Sequence, residues 1–316
     1  MEEKVRLGIA SCLLGKKVRY DGGHKRDPFL IETLGRWVEY VPVCPEQECG
    51  LGVPREAMRL QGNLSSPRLV TVRTGVDHTD RMMKWGGKRL KELEIEDLCG
   101  YIFKSKSPWS GLHKIRVYRE NGMSGRQGVG IWASMFTRYF PQLPVEDEGR
   151  LNDPQLRENF IERVFVMKRW RKLTECGKKL GTLVEFHTRH KILIMSHSVK
   201  AYRRMGKLVA AGKNIPDGVI YEKYLEELTA ALKLNATVNK HRNVLQHLMG
   251  YFKRDINTGE KKELLDQIVA FASGLIPLIV PVTLINHYIR KYDQKYLAGQ
   301  YYLNPHPLEL KLRNHV

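Results

Sequence analysis

The chain has 316 residues, a hydrophobic fraction of 42% and a formal net charge of +19. The length exceeds what one hydrophobic core usually organises, so we expect two domains, and the hydrophobic fraction excludes a mainly disordered chain. The positive charge favours an anionic partner, nucleic acid first, over a basic face that serves only solubility.

The first 140 residues alternate short apolar runs of strand type with helical patterns. Strands are predicted at 5–10, 37–43, 68–73, 100–104 and 115–118, and helices at 28–34, 77–98 and 128–139. This alternation predicts an α/β domain over residues 1–140, with a mostly parallel sheet and flanking helices. In such sheets ligands bind at the carboxyl ends of the strands.

The second half of the chain shows only helical patterns. Residues 141–154 contain prolines and acidic residues and are predicted to be a linker. Apolar residues at helical spacing over 158–173, 183–211, 219–234, 236–252 and 261–272 predict an all-α domain of five or six helices at 155–316. Segment 267–289 lacks charged residues, but Pro277 and Pro281 interrupt it, so we predict two buried helices and no membrane span.

Positive charge is concentrated in this helical domain. Residues 1–150 hold 25 Lys/Arg against 19 Asp/Glu, residues 151–316 hold 28 against 15, and residues 163–213 hold 14 against 2. We therefore predict RNA binding by the basic helical domain, through contacts to the phosphate backbone. The predicted contact residues include Lys168, Arg169, Arg203 and Arg204. Trp170 and Tyr202 lie among them, and both base stacking and core packing explain these two aromatic residues.

The cysteines and the N-terminus indicate the compartment. The first residues, Met-Glu-Glu-Lys-Val-Arg, are followed by no long apolar core, so we expect no secretory signal and a cytoplasmic location. The five cysteines are odd in number and mostly widely spaced, which indicates metal binding, catalysis or buried thiols rather than disulfides. Cys12 and Cys44 each follow a predicted strand, and with Cys49 they suggest zinc or iron–sulfur, although no Cys-x-x-Cys pair occurs.

Several motifs in the first 140 residues together resemble one enzyme family. They are Ser11-Cys12-Leu13-Leu14-Gly15, Arg19-Tyr20-Asp21-Gly22, Cys44-Pro45-Glu46, Gly50-Leu51-Gly52-Val53-Pro54-Arg55 and Lys104-Ser105-Lys106-Ser107-Pro108. Their sequence and order resemble the thiouracil desulfidase family. Residues 186–191 and 195–198 resemble the helical domain often fused to that family, in proteins implicated in removing sulfur from 4-thiouridine in tRNA.

The resemblance implies a 4Fe–4S cluster held by three protein ligands, with one iron left open. Cys12 and Cys44 match two ligand positions, whereas Ser110 stands where the family has the cysteine of a Ser-Pro-x-Cys-Gly motif. Three readings stay open: Ser110 ligates as an alkoxide, Cys49 is the alternative third ligand, or the cluster is lost.

The resemblance also implies roles in catalysis. Glu46 would activate water for attack on C4 of the thiopyrimidine, and Ser107 would hydrogen-bond the pyrimidine or pass a proton. The structural alternatives are a loop carboxylate paired with Arg55 for Glu46 and a turn residue before proline for Ser107. The basic loop with Arg19 and Lys25 lies beside these residues and is expected to guide phosphate. The resulting hypothesis is non-redox desulfuration of 4-thiouridine in tRNA. The alternatives are an RNA-binding protein without a cluster and a small-molecule thiouracil desulfidase.

Overall fold

The computed structural model describes residues 4–119, 121, 123–175 and 177–315. The chain divides into two compact units, Met1–Asp153 and Pro154–Val316. The predicted fold class is confirmed: an α/β unit is followed by a helical unit.

A four-stranded parallel sheet, sheet A, forms the centre of the first unit. Its strands are β1 (Val5–Ala10), β2 (Val38–Val43), β5 (Tyr101–Phe103) and β8 (Val145–Asp147), in the order β2-β1-β5-β8. β1 and β5 consist almost entirely of buried residues, as expected for parallel strands that are covered on both faces. The carboxyl ends of the four strands therefore lie along one edge.

A second, mixed sheet, sheet B, was not predicted. It contains β3 (Met58–Gly62), β4 (Pro67–Thr71), β6 (Ile115–Tyr118) and β7 (Ser124–Gly128), in the order β4-β3-β6-β7. β3 pairs antiparallel with β4 and parallel with β6. The α-helices of the unit are α1 (Pro45–Glu48), α2 (Thr79–Glu94) and α3 (Ile131–Tyr139).

The linker prediction for residues 141–154 is wrong over most of its length. β8 pairs with β5 at the edge of sheet A, and a short 3₁₀ helix follows at Arg150–Asn152. Pro141 and Pro144 lie before this strand and Pro154 begins the next helix, whereas the strand residues Glu146 and Asp147 are buried. The first unit consequently extends to Asp153.

The second unit contains eight α-helices among the described residues, more than the predicted five or six. They are α4 (Pro154–Glu175), α5 (Leu180–His197), α6 (Val199–Ala210), α7 (Asp217–Leu232), α8 (Val238–Met249), α9 (Thr258–Ala272), α10 (Ile279–Lys291) and α11 (Lys295–Ala298). The predicted helix at 183–211 is two helices, because Ser198 leaves the helical conformation and its side chain accepts a hydrogen bond from the amide of Ala201.

Buried rings and ionic groups fill the core of this unit. Trp170 stacks on Tyr224, with ring centroids 5.6 Å apart and planes 8° apart, so Trp170 packs in the core. His197 lies 2.5 Å from Glu162, and Arg313 reaches both Glu162 and Glu158. No helix in the described part of the chain is long and apolar enough to cross a membrane.

Candidate active site

The carboxyl edge of sheet A holds a small cavity, referred to below as the cysteine cavity. β1 ends at Ala10 and runs into a 3₁₀ turn that carries Cys12, and β2 ends at Val43 directly before Cys44. The turn that follows β5 supplies Ser107 and Ser110. Residues with polar groups that line the cavity are Ser11, Cys12, Arg19, Tyr20, Cys44, Glu46, Lys104, Ser107 and Ser110.

Cys12 and Cys44 are both buried free thiols. Burial raises the pKa of each to about 11, so both are protonated at neutral pH without a bound cation. Lys104 and Arg19 oppose this effect at Cys12 and supply positive charge close to the thiols. A soft cation that binds here has to displace both protons.

Ser110 is also buried, and its Oγ has no hydrogen-bond partner among the described residues. Two hydrogen bonds from backbone amides to a side chain fix the turn around it: the amides of Trp109 and Ser110 donate to Ser107 Oγ at 3.3 and 3.2 Å. Gly130 approaches the turn closely: a Cβ there would lie 2.4 Å from the carbonyl oxygen of Trp109. The chain therefore needs glycine at this position.

Glu46 lies in α1, directly after Cys44 and Pro45, and is paired with Arg55 through Oε2. Burial raises the pKa of Glu46, while the Arg55 guanidinium opposes the rise. Arg55 is itself fixed, since it donates to the carbonyls of Val18 at 3.1 Å and Gly52 at 3.2 Å. Oε1 of Glu46 has no partner in the described part of the chain.

Cys49 is a candidate ligand that the structure places outside the cysteine cavity. It does not line the cysteine cavity but packs with Leu60, Leu69 and Met82 in an apolar cluster, and its thiol donates to the carbonyl of Glu46 at 3.3 Å. The geometry therefore does not support Cys49 as an alternative third ligand. Lys25 is exposed and also lies outside the cavity lining, whereas Arg19 is part of it.

Lys104 is a cavity residue to which the sequence analysis assigned no role. It follows β5 directly, pairs with Glu148 and donates to the carbonyl of Ser105 at 3.0 Å. The sequence could have indicated this position, because Lys104 lies at the end of a predicted strand, and Cys12 and Cys44 come just after theirs.

The four basic residues chosen for RNA contacts in the second unit differ in environment. Arg203 and Arg204 are exposed on α6, and Arg204 pairs with Glu227. Lys168 is half-buried on α4. Arg169 is half-buried: its guanidinium lies 4.0 Å from the centroid of the Tyr301 ring and donates to the carbonyl of Pro305, and its phosphate contact stays a prediction.

The histidines of α5 serve packing. His187 Nδ1 lies 3.0 Å from the Tyr224 hydroxyl and His190 Nδ1 lies 2.7 Å from the carbonyl of Phe186. Together with the His197–Glu162 pair, these contacts place all three histidines in helix seams. Of the remaining two cysteines, Cys99 is a buried thiol outside the lining of the cysteine cavity, and Cys176 lies outside the described residues.

Comparisons with known proteins match both halves of the chain. The 2-thiouracil desulfurase family matches residues 7–148, and the family described as "Protein of unknown function (DUF1722)" matches residues 191–307. The uncharacterized protein YbgA of Escherichia coli is 30% identical over 167 residues, which are 52% of this chain and 98% of YbgA. A solved [4Fe-4S]-dependent thiouracil desulfidase, TudS, is 28% identical, with a TM-score of 0.40, and the match covers 48% of this chain and 95% of TudS.

These matches divide the chain as its fold does. The desulfurase match falls within the first unit and the DUF1722 match within the second. The N-terminal unit therefore carries a region that matches the 2-thiouracil desulfurase family, and the C-terminal unit carries a region that matches the DUF1722 family.

Proposed function

We propose that the protein removes sulfur from 4-thiouridine in tRNA, giving uridine and sulfide without net oxidation or reduction. The observation that carries the proposal is the cysteine cavity, where Cys12, Cys44 and Ser110 meet next to Glu46. The match of residues 7–148 to the 2-thiouracil desulfurase family supports the reaction type. The basic second unit supports a polyanionic substrate.

A 4Fe–4S cluster fits the donors of this cavity. Cys12, Cys44 and Ser110 would hold it, because two thiolates and one hydroxyl oxygen face the same space and Lys104 and Arg19 offset negative charge. When bound, such a group supplies a soft Lewis acid that polarises a carbon–sulfur bond. Both thiols lose their protons when the cluster binds, so cluster binding requires that the two cysteines can become thiolates.

Glu46 would act as the general base. Arg55 fixes one carboxylate oxygen and leaves Oε1 open to accept a proton from water. The water oxygen then forms a bond to C4 of the pyrimidine while the C4–S bond breaks. The carbon keeps its oxidation state, since one heteroatom replaces another and sulfur leaves as sulfide.

Ser107 would orient the pyrimidine. Its oxygen already accepts two backbone N–H groups, so its single O–H remains available as a donor. That donor suits the acceptor atoms of a pyrimidine ring, and the fixed turn holds it in place without further ordering cost.

The test is sulfide release by the anaerobically reconstituted full chain, with thiolated tRNA and free 2-thiouracil compared as substrates. We expect turnover of the tRNA, and Glu46→Gln should retain bound iron but lose about 100-fold or more in rate. Glu92→Gln, an exposed change on α2, is the control and should keep the wild-type rate. Glu46→Gln that loses iron and activity together would contradict the assigned role.

Free 2-thiouracil is the second candidate substrate, since the matching family is described by it. Turnover of 2-thiouracil with no turnover of thiolated tRNA would favour this function. Colourless protein that binds tRNA but holds no iron after reconstitution would instead favour an RNA-binding protein without a cluster.

A further inference from the structure

Sheet B carries a groove of about 600 Å³ that the proposed reaction does not use. β3, β6 and β7 and the turn after β5 form its walls. Its polar lining residues are Arg59, Lys106, Lys114, Arg116, Tyr118 and Gln127. The volume far exceeds that of one water or one small ion, so the groove can accept an extended ligand.

The groove is positively charged and lacks counter-charges. Arg59, Lys106, Lys114 and Arg116 contribute four cations, and no Asp or Glu is among the described residues of its lining. None of the four cations forms a salt bridge within the described part of the chain. The Nε of Arg59 is buried without a hydrogen-bond partner. A cleft lined by one sign of charge concentrates ligands of the opposite sign.

Tyr118 gives this groove a stacking surface. Its ring is half-buried, and the Arg59 guanidinium carbon lies 5.2 Å from the ring centroid. Basic side chains interleaved with an aromatic ring are the features by which proteins bind single-stranded nucleic acid, since phosphates meet the cations and bases stack on the ring.

The groove and the cysteine cavity share one turn. Lys104, Ser107 and Ser110 line the cavity, whereas Lys106 and Pro108 of the same turn line the groove. Lys106 has a φ of 57°, in the left-handed region that non-glycine residues rarely adopt. Such conformations persist where the surrounding structure fixes them, often beside functional sites.

We infer that the sheet B groove binds the single-stranded RNA that flanks the thiolated nucleotide while that nucleotide enters the cysteine cavity. The inference rests on the proposed function, because it assumes an RNA substrate. Four unpaired cations and a stacking ring suit two or three consecutive nucleotides better than one free phosphate. The N-terminal unit thus has an RNA contact of its own, independent of the second unit.

The test measures binding of an unthiolated, fluorescently labelled pentanucleotide RNA to the full chain at several salt concentrations. The groove variant combines Lys114→Asn, which tolerates the φ of 55° at that position, with Arg116→Gln. The matched control combines Lys84→Gln with Lys91→Gln, two exposed lysines of α2 outside the groove. Both variants lose two positive charges, so net charge is equal between them.

We expect the groove variant to bind the pentanucleotide about tenfold more weakly, whereas the control binds as wild type does. The slope of the logarithm of the binding constant against the logarithm of the salt concentration should be smaller by about 1.4 in the groove variant. Equal affinity and equal salt dependence in both variants would overturn the inference. This measurement needs neither the cluster nor turnover. Failure of the wild type to desulfurate thiolated tRNA would count against the proposed function, and it is measured separately.

Discussion

Ser110 differs from the other two candidate ligands by an oxygen in place of a sulfur. Its position suits the proposed ligand role, because it is buried in the lining of the cysteine cavity and its hydroxyl has no partner among the described residues. A hydroxyl oxygen is harder than a thiolate and binds iron less well. In the proposed cluster site, this single atom would therefore set how firmly the cavity holds iron.

We predict that Ser110→Cys raises bound iron per chain by about twofold or more after anaerobic reconstitution, because thiolate is the softer ligand. Iron and sulfide analysis of the purified protein gives the result. Cys49→Ala is the matched control and should hold wild-type iron, since Cys49 packs in an apolar cluster. Unchanged iron in Ser110→Cys together with loss of iron in Cys49→Ala would make Cys49 the third ligand.

The convergence of Cys12, Cys44 and Ser110 could be predicted from the sequence, because each follows a recognisable strand and parallel strands end at a common edge. The position of Cys49 could not, since it depends on packing against Leu60 and Leu69 of another sheet. The contacts of Arg169 likewise depend on Tyr301 and Pro305, more than 130 residues later in the chain.

Helices α5 and α8 each place a neutral histidine in the core of the second unit. Burial lowers the pKa of His187 to about 4 and that of His241 to about 3. Each ring bonds a buried tyrosine, Tyr224 or Tyr302, at 3.0 Å. The unfolded chain takes up protons at the ordinary histidine pKa of 6.5, so below that pH the unfolded state binds more protons than the folded state.

The free energy of unfolding should therefore fall as the pH decreases from about 6.5 towards 4, by up to about 1.4 kcal/mol per pH unit for each such histidine. His241→Gln should be less stable at neutral pH, because the bond to Tyr302 changes, but should show a shallower loss in this window. Urea unfolding at a series of pH values measures both effects. Gln246→Ala, an exposed change on α8 that removes no ionisable group, should leave the slope unchanged.

Secondary structure could be predicted best where the pattern was long or wholly apolar. β1, β2, β6, α2 and α3 lie within a few residues of their predicted bounds. Sheet B was missed mainly because β3, Met-Arg-Leu-Gln-Gly, has no β-branched residue and only a weak alternation. Its formation depends on pairing with β4 and β6, and β6 lies about fifty residues away.

At the scale of the whole molecule, net charge is carried mainly by the second unit. Residues 163–213 hold 14 Lys/Arg against 2 Asp/Glu, and Arg203 and Arg204 are exposed among them on α6. Exposed cations bind phosphate backbones without reading sequence, and each contact releases a counterion. Thiolated and unthiolated tRNA should therefore bind this surface alike.

We predict that Arg203→Ala combined with Arg204→Ala weakens binding of tRNA to the full chain. The slope of the logarithm of the binding constant against the logarithm of the salt concentration should be smaller by about one to two. Lys261→Ala with Lys262→Ala, on exposed positions of α9, removes the same charge and should have little effect. Filter binding of thiolated and unthiolated tRNA across salt concentrations provides the measurement. A loss confined to thiolated tRNA would show that these arginines contact the modified base instead.

The parallel order of sheet A also fixes when the donors of the cysteine cavity can meet. Cys12, Cys44 and Ser110 are separated by 32 and 66 positions in the chain, and they come together only after β1 has paired with β2 and β5. Contacts of this range form late in folding, because the loops between them must close first. Insertion of the proposed cluster would consequently follow folding of the first unit rather than drive it, unlike the small domains that fold only around their metal.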